Sequence, residues 1–360
     1  MSSKVLFTSV EYDKYDYSVS LPSKFSRLLD KMDMGSHLEG KKTVIKMHLG
    51  RSIGYSTVHP LFVKMLVDRV KEYGGKPYIS DQSVEGARAR GYTEEYLGCP
   101  IVFACGVTDK YYKETFVEYK SLKNVDIAGN IMDADAMIDL SHVKGHGACG
   151  YGGACKNIAM GCVTTRTRGQ IHGLEGGIDW NEELCTHCEL CINSCNHSAN
   201  GFNDEGKYKM NFHHCTLCQH CVKVCPTGAL TMNATNYKDF QTGMAIATKR
   251  VLESFDENSV FYINFLVNIT AICDCWGFTL PAMVPDIGIT ASNDMVAIDK
   301  ACLDLIKPED VIMSGIPQGM ELRESGHLFE RLHGKDPFIQ LRELEKLGVG
   351  TQEYTLETIV

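Results

Sequence analysis

The chain has 360 residues, 44% of them hydrophobic and 22% charged, and a formal net charge of -9 at pH 7; this is globular composition, with room for two or three domains and no need of disulfides. An acidic surface makes nucleic acid and anionic membrane poor partners, and no apolar run approaches the roughly eighteen residues of a membrane span. Sixteen cysteines without an export signal imply a reducing, cytoplasmic compartment, where clustered cysteines hold metals rather than disulfides.

The opening MSSKVLFTSV has one early lysine and a short apolar run, and reads as a first strand rather than a signal peptide. KTVIKMHLG at 42–50 predicts a buried strand, HPLFVKMLVDRVKEYGG a helix and KPYISD the next strand. The helix has Pro60 near its start, apolar Leu61, Phe62, Met65, Leu66 and Val70 at helical spacing, and Gly74 and Gly75 as its stop. Strand, helix and strand in this order make a βαβ unit. Arg88 and Arg90 in EGARARGY read as a solvated loop, the alternative being a carboxylate or phosphate clamp. AMIDLSHVK at 136–144 is a further strand.

HGACGYGGACKNIAMGC at 146–162 is too polar and glycine-rich for a core segment. Its glycines 147, 150, 152 and 153 let backbone N–H groups approach a ligand, and Lys156 adds a positive charge. Ligands of open α/β sheets collect beyond the carboxyl ends of strands; there lie His48, Asp81, His142, Lys144 and His146. The loop is therefore expected to cradle an anionic substrate or cofactor, with His146, Lys156, His172 and His48 as catalytic candidates and Gly150, Gly152, Gly153 and Lys156 as the cofactor-binding ones. A plain connecting turn is the alternative.

Two cysteine runs follow, Cys185-x2-Cys188-x2-Cys191-x3-Cys195 and Cys215-x2-Cys218-x2-Cys221-x3-Cys225-Pro226. This is the spacing of bacterial two-cluster ferredoxins, in which three close thiolates wrap a cubane and the fourth comes from the other run. It assigns Cys185, Cys188, Cys191 and Cys225 to one [4Fe–4S] cluster, and Cys215, Cys218, Cys221 and Cys195 to the other. Paired zinc sites do not need three cysteines at such intervals twice over. Asn196 stands where a proline is usual, and nearby His187, His197, His213, His214 and His220 read as solvated surface or as donors to sulfur.

Beyond the cysteines, DFQTGMAIATKRVLESF predicts a helix, SVFYINFLVNI and DIGIT strands, and DMVAIDKACLDLI a last helix capped by Asp294. Asp286 is a further site candidate. Cys99, Cys105 and Cys302 sit in apolar surroundings and read as core. Cys149, Cys155 and Cys162 share the loop, and Cys273 and Cys275 share a face if the backbone there is extended; they read as small buried cysteines beside the cluster segment, the alternative being a third metal site formed with His142 or His146. The fold class is then α/β, a Rossmann-like body (1–179 and 231–360) with a two-cluster ferredoxin insertion at 180–230.

HVKGHGACGYGGACKNIAMGC, the two cysteine runs, CDCWGF and VPDIGITASNDMVAIDKACLDLI together resemble the iron–sulfur members of domain-of-unknown-function family 362. The resemblance covers essentially the whole chain and implies an α/β domain carrying a ferredoxin insertion. A more distant likeness links His146, Gly152, Gly153, Lys156 and His172 to the cofactor segment of nickel-pincer lactate racemases. It would make Lys156 the cofactor carrier, His172 a nickel ligand and His146 an acid/base, although the Asp/Thr/Arg-Pro element of those enzymes is absent.

These features give an expected redox protein whose two [4Fe–4S] clusters relay electrons to a substrate or cofactor at the 142–172 loop, a probable oxidoreductase. Its partners would be a redox protein or a small anionic substrate, with a further metal or organic cofactor possible. The alternatives are a non-enzymatic electron carrier, a protein that matures or activates another enzyme's metal centre, and a pincer-like racemase or lyase.

Overall fold

The computed structural model describes every residue except 1, 52, 176, 196, 212, 213, 216–218, 234–236 and 319. Eight strands form one mixed, mostly parallel sheet: β1 (Ser3–Ser9), β2 (Lys42–Met47), β3 (Lys76–Asp81), β4 (Ile101–Phe103), β5 (Ala136–His142), β6 (Val260–Leu266), β7 (Gly288–Ser292) and β8 (Tyr354–Thr358). Their order is β8-β1-β7-β6-β5-β2-β3-β4, and β7 alone among these strands runs against the rest.

Successive strand residues face opposite layers. Val44, Met137 and Tyr262 pack with one buried cluster, and their chain neighbours Ile45, Ile138 and Ile263 with the other. The first layer is covered by α3 (Ala154–Gly161), α5 (Tyr237–Leu252) and α6 (Met295–Leu305), the second by α1 (Leu21–Lys31) and α2 (Pro60–Glu72); α4 (Thr165–His172) follows α3. Near-continuous apolar strands such as VFYINFL are what a sheet covered on both faces requires. The expected elements form where the patterns put them. Pro60 is the first residue of α2, Asp294 caps α6 by accepting from the N–H groups of Val296 and Ala297, and the DIGIT strand starts at Gly288.

The chain runs outward through β2, β3 and β4 and then returns to β5 on the other side of β2. A crevice opens at such a reversal, beyond the carboxyl ends of the two strands. Those ends carry His48 and His142.

The cysteine-rich stretch leaves and re-enters the body at one place, because Gly177–Trp180 pairs antiparallel with Leu230–Asn233. Between them lie a hairpin, Asn200–Phe202 with Tyr208–Met210, and two single-turn helices, Leu190–Asn193 and His220–Val224. Each helix follows a left-handed residue, Glu189 or Gln219, and carries the third cysteine of its run. Tyr208, Cys221 and Leu230 pack against Trp180 and Phe202 as a small separate core.

Candidate functional site

At the β2/β5 reversal lies a narrow cleft lined by five cationic side chains, Lys46, Arg51, Lys144, Lys156 and Arg168, and by one carboxylate, Asp81. Lys46 is fully buried, 3.1 Å from Asp81 Oδ1, and donates to Asn157 Oδ1 at 2.6 Å. Asp81 Oδ2 meets His48 Nδ1 at 3.0 Å and accepts from the Leu49 N–H. Burial works against the charge on Asp81, but Lys46 and His48 hold its carboxyl well below the ordinary range. His48 also lines the cleft, and its Nε2 is buried with no hydrogen-bond partner among the described residues. Arg51 and Arg168 make no hydrogen bond or ion pair through their side chains among the described residues. Gly161 lets α3 pass over Lys46, since a Cβ there would lie 2.3 Å from Nζ.

The glycine-rich loop is not the open, solvated turn its composition suggests. Residues 136–164 are buried without a break. Internal pairing makes this tolerable, as burying polar groups requires. Asp299 accepts from the N–H groups of Ala154 and Cys155, from the Tyr151 hydroxyl and from Asn264, and so occupies the N-terminus of α3. Asn157 donates to Asp139, whose carboxyl burial pushes up to about 8 despite Lys46. Gly150, with φ of 79°, lies against the Lys335 carbonyl, and Gly153 against Tyr151 and Asp299. Gly150, Gly152 and Gly153 therefore do not line the cleft, while Lys156 does.

Behind Lys156, one ligand atom each from His146, Cys273 and Cys275 lie within 4.8 Å of one another. The turn here is a short 3-10 helix, Asp274–Trp276, so the condition of an extended backbone is not met, and Cys273 caps the turn by accepting from the Cys275 N–H. Lys156 Nζ donates to Cys273 Sγ at 3.3 Å. A hydrogen bond from Cys275 drives the Cys273 thiol well down against the cost of burial, with Lys156 and His146 adding to it. Asp274 points the other way, to His142 Nδ1 at 2.9 Å and Ser56. Burial opposes its ionisation, but His142 and Lys144 hold it low.

The cysteine runs lie beyond this site. Cys185, Cys188, Cys191 and Cys225, the four residues assigned to one cluster, line a single small cavity with Trp180, Phe202 and Tyr208. Backbone N–H groups of His187 and Ala199 point to Cys185 and Cys195. Of the second set, Cys215 and Cys221 are buried and Cys195 half-buried; Cys218, like Asn196 and His213, lies outside the described residues. His214, next to Cys215, stacks on Trp276, next to Cys275, with ring centroids 4.7 Å apart and planes 17° from parallel.

Of the sequence candidates, His48 and Lys156 meet at the cleft and His146 sits behind it. His172 does not line the cleft; its Nδ1 engages Glu175 and its ring lies against Phe240, which His146 also faces. Cys149, 3.2 Å from His146 Nδ1, is like Cys155 and Cys162 a buried thiol that desolvation pushes up, Cys149 and Cys162 to about 12. Arg90 is no ligand clamp: it donates to the carbonyls of Gly54 and Arg51 and ties down the cleft's rim. Asp286 accepts from the Asn268 N–H, a loop contact. Lys46, Asn157, Arg168 and Asp139 escaped the sequence reading, although a lysine in TVIKM and an aspartate in AMIDL are conspicuous inside apolar strands.

Among the described residues no helix is long and apolar enough to cross a membrane. No curated protein matches the chain. Among solved structures, the lactate racemase apoprotein from Thermoanaerobacterium thermosaccharolyticum is 13% identical over 74% of this chain and 51% of its own, with a TM-score of 0.37. A structural-genomics protein from Thermotoga maritima is 13% identical over 71% of this chain and 52% of its own, with a TM-score of 0.40. The chain thus spans about half the length of each. The sequence profile described as "Domain of unknown function (DUF362)" matches residues 43–304, most of the α/β body and the whole cysteine-rich segment, and the chain belongs to that family.

Proposed function

We propose that this chain is an iron–sulfur redox protein that binds a small anion in the cationic cleft and exchanges electrons with it through two [4Fe–4S] clusters held by the paired cysteine runs. The observation that carries this reading is the stack of His214 on Trp276, which joins a residue beside one proposed cluster ligand to a residue beside the cleft's Cys275. A carrier with no substrate of its own gains nothing from that junction.

The donor set fits the group: four thiols converge on one cavity in the combination the spacing demands. Bound there, the clusters would supply electrons one at a time. The chain's own residues do the rest. Lys156, Arg168 and Arg51 draw the anion in, Lys46 and Asn157 fix the floor, and His48, oriented by Asp81, delivers or accepts a proton at Nε2. Lys156 lines the cleft and His146 lies behind it, and Asp299 at the start of α3 and the Cys273 thiol beside Lys156 form their surroundings.

The test is iron and sulfide per chain in anaerobically purified protein, followed by inorganic phosphate or sulfate titrated against wild type and Arg168→Ala. About eight irons and an anion site weakened by Arg168→Ala are expected. Stoichiometric zinc at the cysteine runs in place of iron would sink the redox reading. Full iron with no anion binding would leave an electron carrier.

A further inference from the structure

We infer that His146, Cys273 and Cys275 form a third metal centre, a mononuclear site for a divalent first-row metal of the zinc or nickel type, facing the cationic cleft through an open coordination position. The site is separate from the eight cysteines of the two runs, and its existence does not depend on the cluster reading.

Three facts bring it together. One nitrogen and two sulfurs already lie within 4.8 Å of one another, and closing them to metal–sulfur bonds of about 2.3 Å and a metal–nitrogen bond of about 2.0 Å takes side-chain adjustments of roughly an ångström. Two thiolates and an imidazole are the donor set that such metals prefer over the hard cations. Outer contacts of a metal site are also present: Cys273 Sγ accepts from the Cys275 N–H at 3.4 Å and from Lys156 Nζ at 3.3 Å. The imidazole is further held parallel to the Phe240 ring. Outer contacts of this kind fix ligand orientation.

Burial and exposure give the site its direction. His146 and Cys273 are buried, while Cys275 is half-buried and lines the cleft together with Lys156. Three protein ligands leave a fourth position, as in catalytic rather than structural zinc sites. That position would be offered to whatever anion the lysines and arginines collect. Each thiol gives up its proton as it ligates, so affinity should rise with pH.

The experiment uses the full chain, purified anaerobically with its iron intact, given one equivalent of Zn(II) and desalted. Iron and zinc are counted, and the zinc K-edge is read by X-ray absorption. The expected result is one zinc per chain with two sulfur neighbours and at least one nitrogen, iron unchanged, and at least a tenfold loss of zinc affinity in Cys275→Ala. Cys275→His, which keeps a ligand, should hold zinc with one sulfur exchanged for nitrogen, a signature that misfolding cannot produce. No retained zinc in the iron-replete wild type would overturn the proposal and leave the clusters standing. Zinc retained in Cys275→Ala with an all-sulfur shell would overturn it too, by placing the metal at the other cysteines. Low iron with zinc in the mixed shell would support this centre while sinking the cluster reading.

Discussion

Asp81 grips the His48 imidazole at Nδ1, 3.0 Å away, and leaves Nε2 bare in the wall of the cleft. A carboxylate behind a histidine sets its tautomer and orientation, which leaves the far nitrogen to the substrate. His48→Gln should therefore lower kcat for an anionic substrate by about 10²–10⁴-fold with KM little changed, because the cations that bind the anion remain. Steady-state kinetics check the split; a change confined to KM would make His48 a binding residue only.

Arg168 projects into the cleft from α4 with no ion-pair partner among the described residues. A charge-assisted hydrogen bond contributes roughly 1.5–3 kcal/mol. Arg168→Ala should weaken phosphate or sulfate binding by about 10- to 100-fold and leave thermal stability nearly unchanged. Calorimetric titration at several salt concentrations reads both the loss and the reduced salt dependence.

Asp139 supplies a pH test. Its carboxyl, pushed up to about 8 by burial, keeps its proton in the folded protein across a range where the unfolded chain has lost it. Between about pH 4, the ordinary aspartate range, and about pH 8 the native state therefore binds the extra proton, and this contribution to stability falls as pH rises. Asp139→Asn should flatten the decline by up to about 1.4 kcal/mol per pH unit. Urea midpoints across that range measure it, and an unchanged slope would remove Asp139 as the cause.

Asp299 is buried and accepts four hydrogen bonds at the start of α3. Replacing it by alanine strands those donors, at about 1–3 kcal/mol for each group left unsatisfied. Asp299→Ala should lower the unfolding free energy by roughly 4 kcal/mol or more or prevent folding, whereas Asp299→Asn, which keeps a carbonyl acceptor, should cost less. Chemical denaturation of the pair checks the order.

Much of the fold was legible because the apolar strands and their glycine and proline punctuation are local signals. Pro60, the Gly74-Gly75 stop and the Asp294 cap each act within one turn of the chain. Four of the cysteines, Cys185, Cys188, Cys191 and Cys225, line one cavity beside Trp180. The cleft was legible only in part. His48, Asp81 and Lys156 stand at strand or helix ends, where ligands are expected, but Lys46 and Asp139 point from within apolar strands, and their partner Asn157 is over a hundred positions from Lys46. The glycine-rich loop misled for the same reason. Its burial depends on Asp299 and Lys335, far along the chain, and nothing in HGACGYGGACKNIAMGC announces them.

The pairing of Gly177 with Asn233 has a consequence for how such a chain is assembled. Opposed residues of an antiparallel ladder lie only about 5 Å apart, so the cysteine segment hangs from the α/β body by two adjacent strands. A short turn could join those strands directly and leave the eight-stranded sheet untouched. The segment is thus a cassette in its chain path, entered and left at one hairpin, but not in its packing: Lys335 of the body donates to the Cys215 carbonyl and Trp276 stacks on His214, so an exchange of the segment has to replace those contacts as well.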